Sequence, residues 1–93
     1  MTYVIVFYDI SDDRARQAVA DKLLSKGLTR VQRSVFMGRG GHALAKDLSR
    51  YLSRFVGPSD SLLIIVVYEE SVRSMIIIGR GGVVVNASSI TVI

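Results

Sequence analysis

The segment YVIVFYD, Tyr3 to Asp9, constrains the fold of this chain more than any other. It is rich in β-branched and aromatic residues, which favours a β-strand, and apolar side chains occupy both alternating sets of positions. Because alternate side chains of a strand point to opposite faces of its sheet, both faces need a cover. The strand ends on the carboxylate of Asp9, where burial would make a charge costly unless a partner compensates it.

The next segment predicts a helix that packs against this strand. Ser11 or Asp12 can cap its start, and Gly27 is expected to end it. Its apolar residues recur at three- and four-residue spacing, which indicates one inward stripe. The stripe consists of Ala15, Val19, Ala20, Leu23 and Leu24.

A second helix and further strands follow. Thr29 to Gly38 has strand character, and a break at Arg33-Ser34 would divide it into two short strands. Leu44, Leu48, Tyr51 or Leu52, and Phe55 predict an amphipathic helix that ends at GPSD. Later strands are predicted at Leu62 to Tyr68, Ser74 to Ile78, Val83 to Val85 and Ile90 to Ile93.

The predicted order of strand, helix, strand, strand, helix, strand is the βαββαβ arrangement of the α+β class called ferredoxin-like. One domain is expected over residues 1–93, with a core at 2–79 and a C-terminal strand or tail at 80–93. The helices cover one face of such a sheet, so the other face needs a second cover, which the same sheet of another subunit can supply. We therefore expect a face-to-face homodimer whose extra C-terminal strands pair with the partner's sheet edge.

Charge and composition narrow the choice of partners. The 93 residues carry a net charge of +4, and residues 1–60 hold ten Lys and Arg against six Asp and Glu. Such a basic balance favours a polyanion, and we expect nucleic acid and no membrane, because no basic segment also presents a bulky apolar face. The absence of cysteine fits a reducing, cytoplasmic location, and the apolar runs are too short to span a membrane.

Asp9 is the first candidate for chemistry, and two interpretations stay open. Its carboxylate could cap the following helix or pair with an arginine. Alternatively, in a two-fold dimer whose axis passes near this strand end, two copies of Asp9 would face each other. Mg²⁺ takes one or two protein carboxylates together with water and phosphate oxygens, so the pair would suffice to hold Mg²⁺ or Mn²⁺.

The charged residues after Asp9 also allow more than one interpretation. Helix capping explains Asp12 and Asp13 more simply than direct metal contact does. Arg14 and Arg16 lie in the first helical turn, about 200° apart around the axis, so they cannot both point at the same spot. One of them could hold a phosphate while the other meets solvent or a carboxylate.

Basic residues recur along both predicted helices. Lys46, Arg50 and Arg54 are spaced by four and form one row, as do Lys22 and Lys26 on the first helix. Such rows can be ordinary solvated faces. With Arg30, Arg33 and Arg39 they could instead form a track that binds a phosphodiester backbone without reading its sequence.

The motif GRGG occurs twice, at Gly38 to Gly41 and at Gly79 to Gly82. Neither copy has the spacing of a P-loop or of a dinucleotide-binding loop, so both are interpreted as tight turns. His42, the single histidine, is interpreted as a residue at the start of a helix.

Two blocks of the sequence resemble one family. YDISDDRAR (Tyr8 to Arg16), followed after one helix by KGLTRVQRSVFMG (Lys26 to Gly38), closely resembles the small CRISPR-associated proteins of the Cas-two family, which work in spacer acquisition. The order of the blocks, the length of the intervening helix and the string Arg-Val-Gln-x-Ser-Val-Phe all agree. The resemblance extends over residues 3–79, in which Arg73 to Gly79 resembles the family's fifth strand.

The resemblance implies a ferredoxin-like homodimer whose C-terminal strands cross to the partner subunit. Asp9 corresponds to the family's strand-end aspartate, which would share one divalent metal, usually Mg²⁺, with its dimer mate. Other positions implicated in the family correspond to Tyr8, Arg16, Arg30 and Phe36. Some members carry a basic residue where this chain has Ala18.

Two functions follow from the resemblance. Family members are described as metal-dependent endonucleases that act on single-stranded RNA or double-stranded DNA, and also as non-catalytic adaptors that hold DNA for the Cas-one integrase. In an endonuclease, Asp9 would hold the metal while Arg16 and Arg30 offset the phosphate charge. In an adaptor, the basic residues Arg14, Arg33, Arg39, Lys46, Arg50 and Arg54 would bind a duplex without metal. An RNA-recognition module is disfavoured, because RSVFMG lacks the aromatic pattern of that module.

Overall fold

The computed structural model of the chain describes residues 1–80, 83–85 and 90–92. In chain order its elements are β1 (Thr2–Asp9), α1 (Asp13–Ser25), β2 (Thr29–Gln32), β3 (Val35–Arg39), α2 (His42–Leu52), a 3-10 turn (Ser53–Phe55), β4 (Ser61–Tyr68), α3 (Glu69–Arg73), β5 (Val83–Val85) and β6 (Ile90–Val92). None of the described helices is long and apolar enough to cross a membrane.

Strand β1 lies inside a four-stranded antiparallel sheet with the order β2-β3-β1-β4. It pairs with β3 on one edge and along its whole length with β4 on the other, where Asp9 lies opposite Ser61. Arg33 and Ser34 form the turn that separates β2 from β3. This topology confirms the ferredoxin-like prediction, and β5 and β6 pair with each other in a separate two-stranded sheet.

The main core lies between one face of the sheet and the two long helices. Alternate residues of β1 point toward this side, because side chains along a strand alternate between faces. Fully or nearly fully buried side chains from β1, α1, β3 and α2 meet there: Val4, Val6, Tyr8, Val19, Leu23, Phe36, Leu48 and Leu52. The prediction that Leu24 belongs to the inward stripe of α1 is wrong, since its side chain is 54% exposed.

The opposite face of the sheet, here called the outer face, is partly covered by the chain itself. Tyr3 and Ile5 pack there with Val72 of α3, and Met75 and Ile77 pack against the same cluster. The Tyr3 hydroxyl also donates to Glu69 Oε1 at 3.4 Å. The sequence predicted a cover for this face, but it did not predict that α3 supplies part of it.

The rest of the outer face carries three exposed apolar side chains. Phe7 of β1 lies opposite Leu63 of β4 in the pairing register, and Ile65 follows on the same side. We call Phe7, Leu63 and Ile65 the outer patch. Each of these side chains is more than a third exposed, so the described residues leave this part of an otherwise apolar face without a cover.

The predicted strand at Ser74 to Ile78 is wrong. These residues have no regular secondary structure, although Met75 and Ile77 pack inward while Ile76 and Ile78 are exposed. An alternating pattern becomes a strand only when a neighbouring strand accepts its backbone hydrogen bonds. The predicted turn at Gly79 to Gly82 lies partly outside the described residues, as does Ile93 of the last predicted strand.

Candidate active site

A cavity of about 590 Å³ lies at the carboxyl end of β1. It is bounded by this strand end, by the first half of α1 and by the β2–β3 turn. Four of the five residues predicted to be catalytic line it, together with two residues of the turn. The predicted four are Tyr8, Asp9, Arg16 and Arg30, and the turn contributes Arg33 and Ser34.

Phe36, the fifth predicted residue, does not line the cavity but supports two residues that do. It is completely buried, and its ring stacks on that of Tyr8 with a centroid separation of 6.2 Å. The guanidinium carbon of Arg30 lies 5.0 Å from the Phe36 centroid, within the range of a cation–π contact. Phe36 therefore supports the Tyr8 ring and the Arg30 guanidinium from the side of the core.

The Tyr8 side chain is buried, and its hydroxyl has no hydrogen-bond partner among the described residues. A buried polar group left without a partner costs about 1–3 kcal/mol. Tyr8 therefore contributes a buried polar group to the wall of the cavity.

The carboxylate of Asp9 is exposed, so the expectation that burial makes its charge costly is wrong. The alternation of β1 places Asp9 on the same side of the sheet as Phe7. The carboxylate therefore stands at the end of the outer patch, on the face that a second chain would cover. An exposed strand end remains accessible to a metal ion or a substrate.

Arg16 is already engaged with the loop that follows β1. Its Nη1 donates to the carbonyl oxygens of Ile10 at 3.1 Å and Ser11 at 3.4 Å, and its Nη2 pairs with Asp13. The prediction that Asp13 caps the helix is therefore wrong. Asp12 alone is the cap, and its Oδ2 accepts a hydrogen bond from the Ala15 N–H at 2.8 Å.

Arg30 and Arg33 differ from Arg16, because neither forms an ion pair with any residue in the described part of the chain. Both side chains line the cavity. Two guanidinium groups without a carboxylate partner make this side of the cavity attractive to an anion. Guanidinium groups suit phosphate particularly well, since their planar N–H groups match its oxygens.

The sequence did not point to Asp60, which ties the loop after β1 to the loop before β4. Its Oδ1 accepts hydrogen bonds from the N–H and the hydroxyl of Ser11, both at 3.1 Å, and its Oδ2 accepts one from the Gly57 N–H at 2.8 Å. The Gly57 N–H, followed by the Ser11 N–H, lowers the pKa of Asp60 below its usual value of 3.8. The only signal in the sequence is the turn GPSD, which does not reveal a contact with a residue 49 positions away.

The residues predicted to bind nucleic acid do not form one cluster. Arg33 lines the cavity, whereas Arg39 pairs with Tyr3 at the opposite end of β1, roughly 20 Å away at 3.3 Å per residue. Arg14 is exposed on α1, and Lys46 is exposed on α2. These scattered positions fit contacts along an extended nucleic-acid backbone better than they fit one binding pocket.

Cations of α2 and of the 3-10 turn that follows it have partners within the chain. Arg50 lies 3.9 Å from Asp47, and Arg54 lies over the Tyr51 ring at 4.3 Å from its centroid. Lys22 of α1 approaches the same ring at 4.0 Å. The contact between Lys22 and Tyr51 thus connects α1 to α2, and Arg50 and Arg54 are only partly available to a ligand.

A divalent metal would find few protein donors within one chain. No group of three or more His, Cys, Asp or Glu side chains able to hold a metal occurs among the described residues. Asp9 is the carboxylate in the cavity that is not already paired, since Asp13 is bound to Arg16. This donor set does not fit a metal caged by one chain, but it fits a hydrated Mg²⁺ that takes one carboxylate from each of two chains.

The lowered pKa of Asp60 predicts a pH-dependent contribution to stability. Because the folded pKa lies below the unfolded value, the ionised carboxylate stabilises the fold above about pH 4, and this contribution is lost as the pH falls through the folded pKa. We expect the difference in unfolding free energy between wild type and Asp60→Asn, measured by urea denaturation, to be larger at pH 6 than at pH 3. Asp47→Asn, which removes an exposed carboxylate of α2, serves as the control. A pH-independent difference for Asp60→Asn would contradict the expectation.

Comparisons with known proteins identify the family of this chain. The family model described as CRISPR associated protein Cas2 matches residues 1–75. A CRISPR-associated endoribonuclease Cas2 from Aeropyrum pernix is 38% identical over 94 residues, which cover 100% of this chain and 100% of that protein. A CRISPR-associated endonuclease Cas1/endonuclease Cas2 fusion from Thermoproteus tenax is 50% identical over 54 residues, which cover 58% of this chain and 20% of the fusion.

A solved structure agrees with the sequence matches. A crystal structure of a Cas2 protein superposes with a TM-score of 0.64 and 32% sequence identity, and the match covers 85% of this chain and 87% of that one. The family model thus covers most of the chain, and the Aeropyrum relative covers all of it. This chain belongs to the Cas2 family of CRISPR-associated proteins, which is the Cas-two family that its sequence resembles.

Proposed function

We propose that this protein is a metal-dependent endonuclease that hydrolyses phosphodiester bonds of RNA or DNA and acts in spacer acquisition. The observation that carries the proposal is the single cavity that brings together Tyr8, Asp9, Arg16 and Arg30. The Aeropyrum relative, which is named an endoribonuclease, supports RNA as one substrate. The non-catalytic adaptor is not favoured, because an adaptor does not require these four residues in one cavity.

Each side chain in the cavity has a defined role in this proposal. Arg30 and Arg33 bind the non-bridging oxygens of the scissile phosphate, since both are cations without an ion-pair partner in the described part of the chain. Tyr8 forms part of the cavity wall, where its ring stacks on Phe36. Arg16 does not bind the substrate but holds the loop carbonyls of Ile10 and Ser11.

Hydrolysis joins a water oxygen to phosphorus and breaks the bond to one sugar oxygen. The cations of the cavity stabilise the negative charge that the phosphate oxygens carry at the transition state. Asp9 would hold Mg²⁺ or Mn²⁺ together with Asp9 of the partner subunit. When bound, such an ion supplies Lewis-acid activation of water and neutralises phosphate charge.

The proposed active form is a homodimer whose subunits meet at the outer patch. Phe7, Leu63 and Ile65 leave an apolar area on a sheet face that is otherwise covered. Asp9 lies at the end of the same face, so a two-fold axis there brings the two carboxylates together. The dimer thus buries the exposed apolar area and completes the donor set for the metal.

We also propose that the dimer works with a Cas1 integrase in the cytoplasm. The relative in which Cas1 and Cas2 form one polypeptide supports this partnership. The exposed basic residues Arg14, Arg39 and Lys46 contact the nucleic-acid backbone outside the cavity. Arg50 and Arg54 follow Lys46 in the same row and also have partners of their own, Asp47 and the Tyr51 ring.

Replacing Asp9 tests the proposed catalysis. We expect Asp9→Ala to lower kcat by about 100- to 1,000-fold, the scale seen when one electrostatic stabiliser of a transition state is removed. Cleavage of labelled RNA and DNA is measured in Mg²⁺ and in EDTA. Asp47→Ala, which removes an exposed carboxylate outside the cavity, keeps wild-type cleavage. Cleavage by Asp9→Ala at the wild-type rate, with contaminating nuclease excluded, would rule the mechanism out.

Introducing a charged residue into the outer patch tests whether the subunits of the dimer meet there. Leu63 and Leu24 are similarly exposed, at 52% and 54%, but Leu63 lies in the outer patch and Leu24 lies on α1. We expect Leu63→Glu to be a monomer in sedimentation velocity and to lose cleavage, because dimerisation would bury an unpaired carboxylate. Leu24→Glu remains a dimer and remains active. A dimeric Leu63→Glu, or a monomeric wild type, would contradict the proposed interface.

A further inference from the structure

One peptide group beside Asp9 is held by opposite charges on its two sides. The carbonyl oxygen of Ile10 accepts a hydrogen bond from Arg16 Nη1 at 3.1 Å, and the N–H of Ser11 donates to Asp60 Oδ1 at 3.1 Å. These two groups belong to the same peptide bond. The cation therefore faces the negative end of the peptide dipole, and the anion faces the positive end, so both hydrogen bonds are charge-assisted.

Asp60 is itself fixed in the loop before β4. Its Oδ2 accepts a hydrogen bond from the Gly57 N–H at 2.8 Å, and its own N–H donates to the Gly57 carbonyl oxygen at 3.1 Å. The hydroxyl of Ser11 adds a second contact to Oδ1 at 3.1 Å. Asp60 thus connects a loop anchored on the edge strand β4 to the loop that leaves the central strand β1.

The connection lies next to the proposed metal ligand. Asp9 pairs with Ser61, the residue that follows Asp60, and the peptide held by Arg16 and Asp60 begins one residue after Asp9. Beyond Asp9 the chain leaves the sheet, so the strand pairing no longer determines its backbone direction. The side chain of Ile10, which is buried in the main core, fixes one end of this peptide, and the two charge-assisted hydrogen bonds fix the orientation of the peptide plane.

We propose that Asp60 is a positioning residue for Asp9. Together with Arg16 it fixes the Ile10–Ser11 peptide, and through this peptide it fixes the backbone on which the Asp9 carboxylate stands. Asp60 does not line the cavity and acts only through the backbone. The proposal deepens the proposed function, since it rests on Asp9 being the group that works in the site.

The test compares wild type with Asp60→Ala, Asp60→Asn and the control Asp47→Ala, each in the 93-residue chain. The eight residue pairs between β1 and β4 do not involve the Asp60 side chain, so the variants are expected to fold. Two NMR measurements report on the loop: the exchange rate of the Ser11 amide and the carboxyl carbon resonance of Asp9. RNA cleavage in Mg²⁺ provides kcat and KM for the same samples.

We expect Asp60→Ala to speed exchange of the Ser11 amide by about tenfold or more, because a hydrogen bond to a charged group is lost. The Asp9 resonance shifts or broadens as its position becomes less defined. The value of kcat falls by about 10- to 100-fold, as for other small displacements in an active site, while KM stays within about twofold because Arg30 and Arg33 still bind the phosphate. Asp60→Asn keeps one acceptor oxygen, so its Ser11 exchange rate and its kcat lie between those of Asp60→Ala and wild type. Asp47→Ala matches wild type in both.

The NMR and kinetic results separate this inference from the proposed function. If wild type cleaves nothing, the proposed function fails, while the response of the Ser11 amide and of Asp9 to Asp60→Ala still decides whether Asp60 positions Asp9. An Asp9 resonance that is unchanged in Asp60→Ala overturns the inference, as does a loss of activity that appears in KM alone.

Discussion

The pairing of β1 on both of its edges is the constraint on which the rest of the structure depends. Hydrogen bonds to β3 and β4 place this strand inside the sheet, and its alternation then sends Val4, Val6 and Tyr8 toward the helices. The other side chains of β1 occupy the outer face, which residues 1–80 cover only in part. The same alternation points the phenol of Tyr8 into the core and the carboxylate of the next residue, Asp9, toward the outer face.

Charge at the end of β1 is arranged in two groups with different partners. Arg16 and Asp60 face the backbone, and each is held by hydrogen bonds within the chain. Arg30 and Arg33 face the cavity and have no ion-pair partner in the described residues. The first group holds the loop after β1, and the second leaves positive charge in the cavity, which we propose is used to bind phosphate. This division explains why three arginines lining one cavity need not perform one task.

The sequence allowed the order of the main elements to be predicted, because strong local signals mark them. Apolar strands, helix periodicity, the Asp12 cap and the Arg33-Ser34 break all appear in the structure. Errors arose where the outcome depends on a distant partner. The alternation from Ser74 to Ile78 indicated a strand, but a strand also needs a neighbour that accepts its hydrogen bonds.

The distance between partners along the sequence also explains which parts of the site could be predicted. The residues from Tyr8 to Arg16 are close in sequence, and the resemblance added Arg30 and Phe36, which the fold brings to the same place. Asp13 pairs with Arg16 instead of joining Asp12 as a cap, because an arginine three residues later on a helix can reach it. Asp60 could not be predicted, since its contact with Ser11 exists only after β1 and β4 have paired.

We propose, as the central point, that two chains together form one metal site from two copies of Asp9. Titration of the purified protein with Mn²⁺, followed by the loss of its free-ion electron paramagnetic resonance signal, measures the number of ions bound per chain. The account predicts one ion for every two chains and loss of this binding in Asp9→Ala. One ion per chain, or binding that survives the substitution, would contradict it.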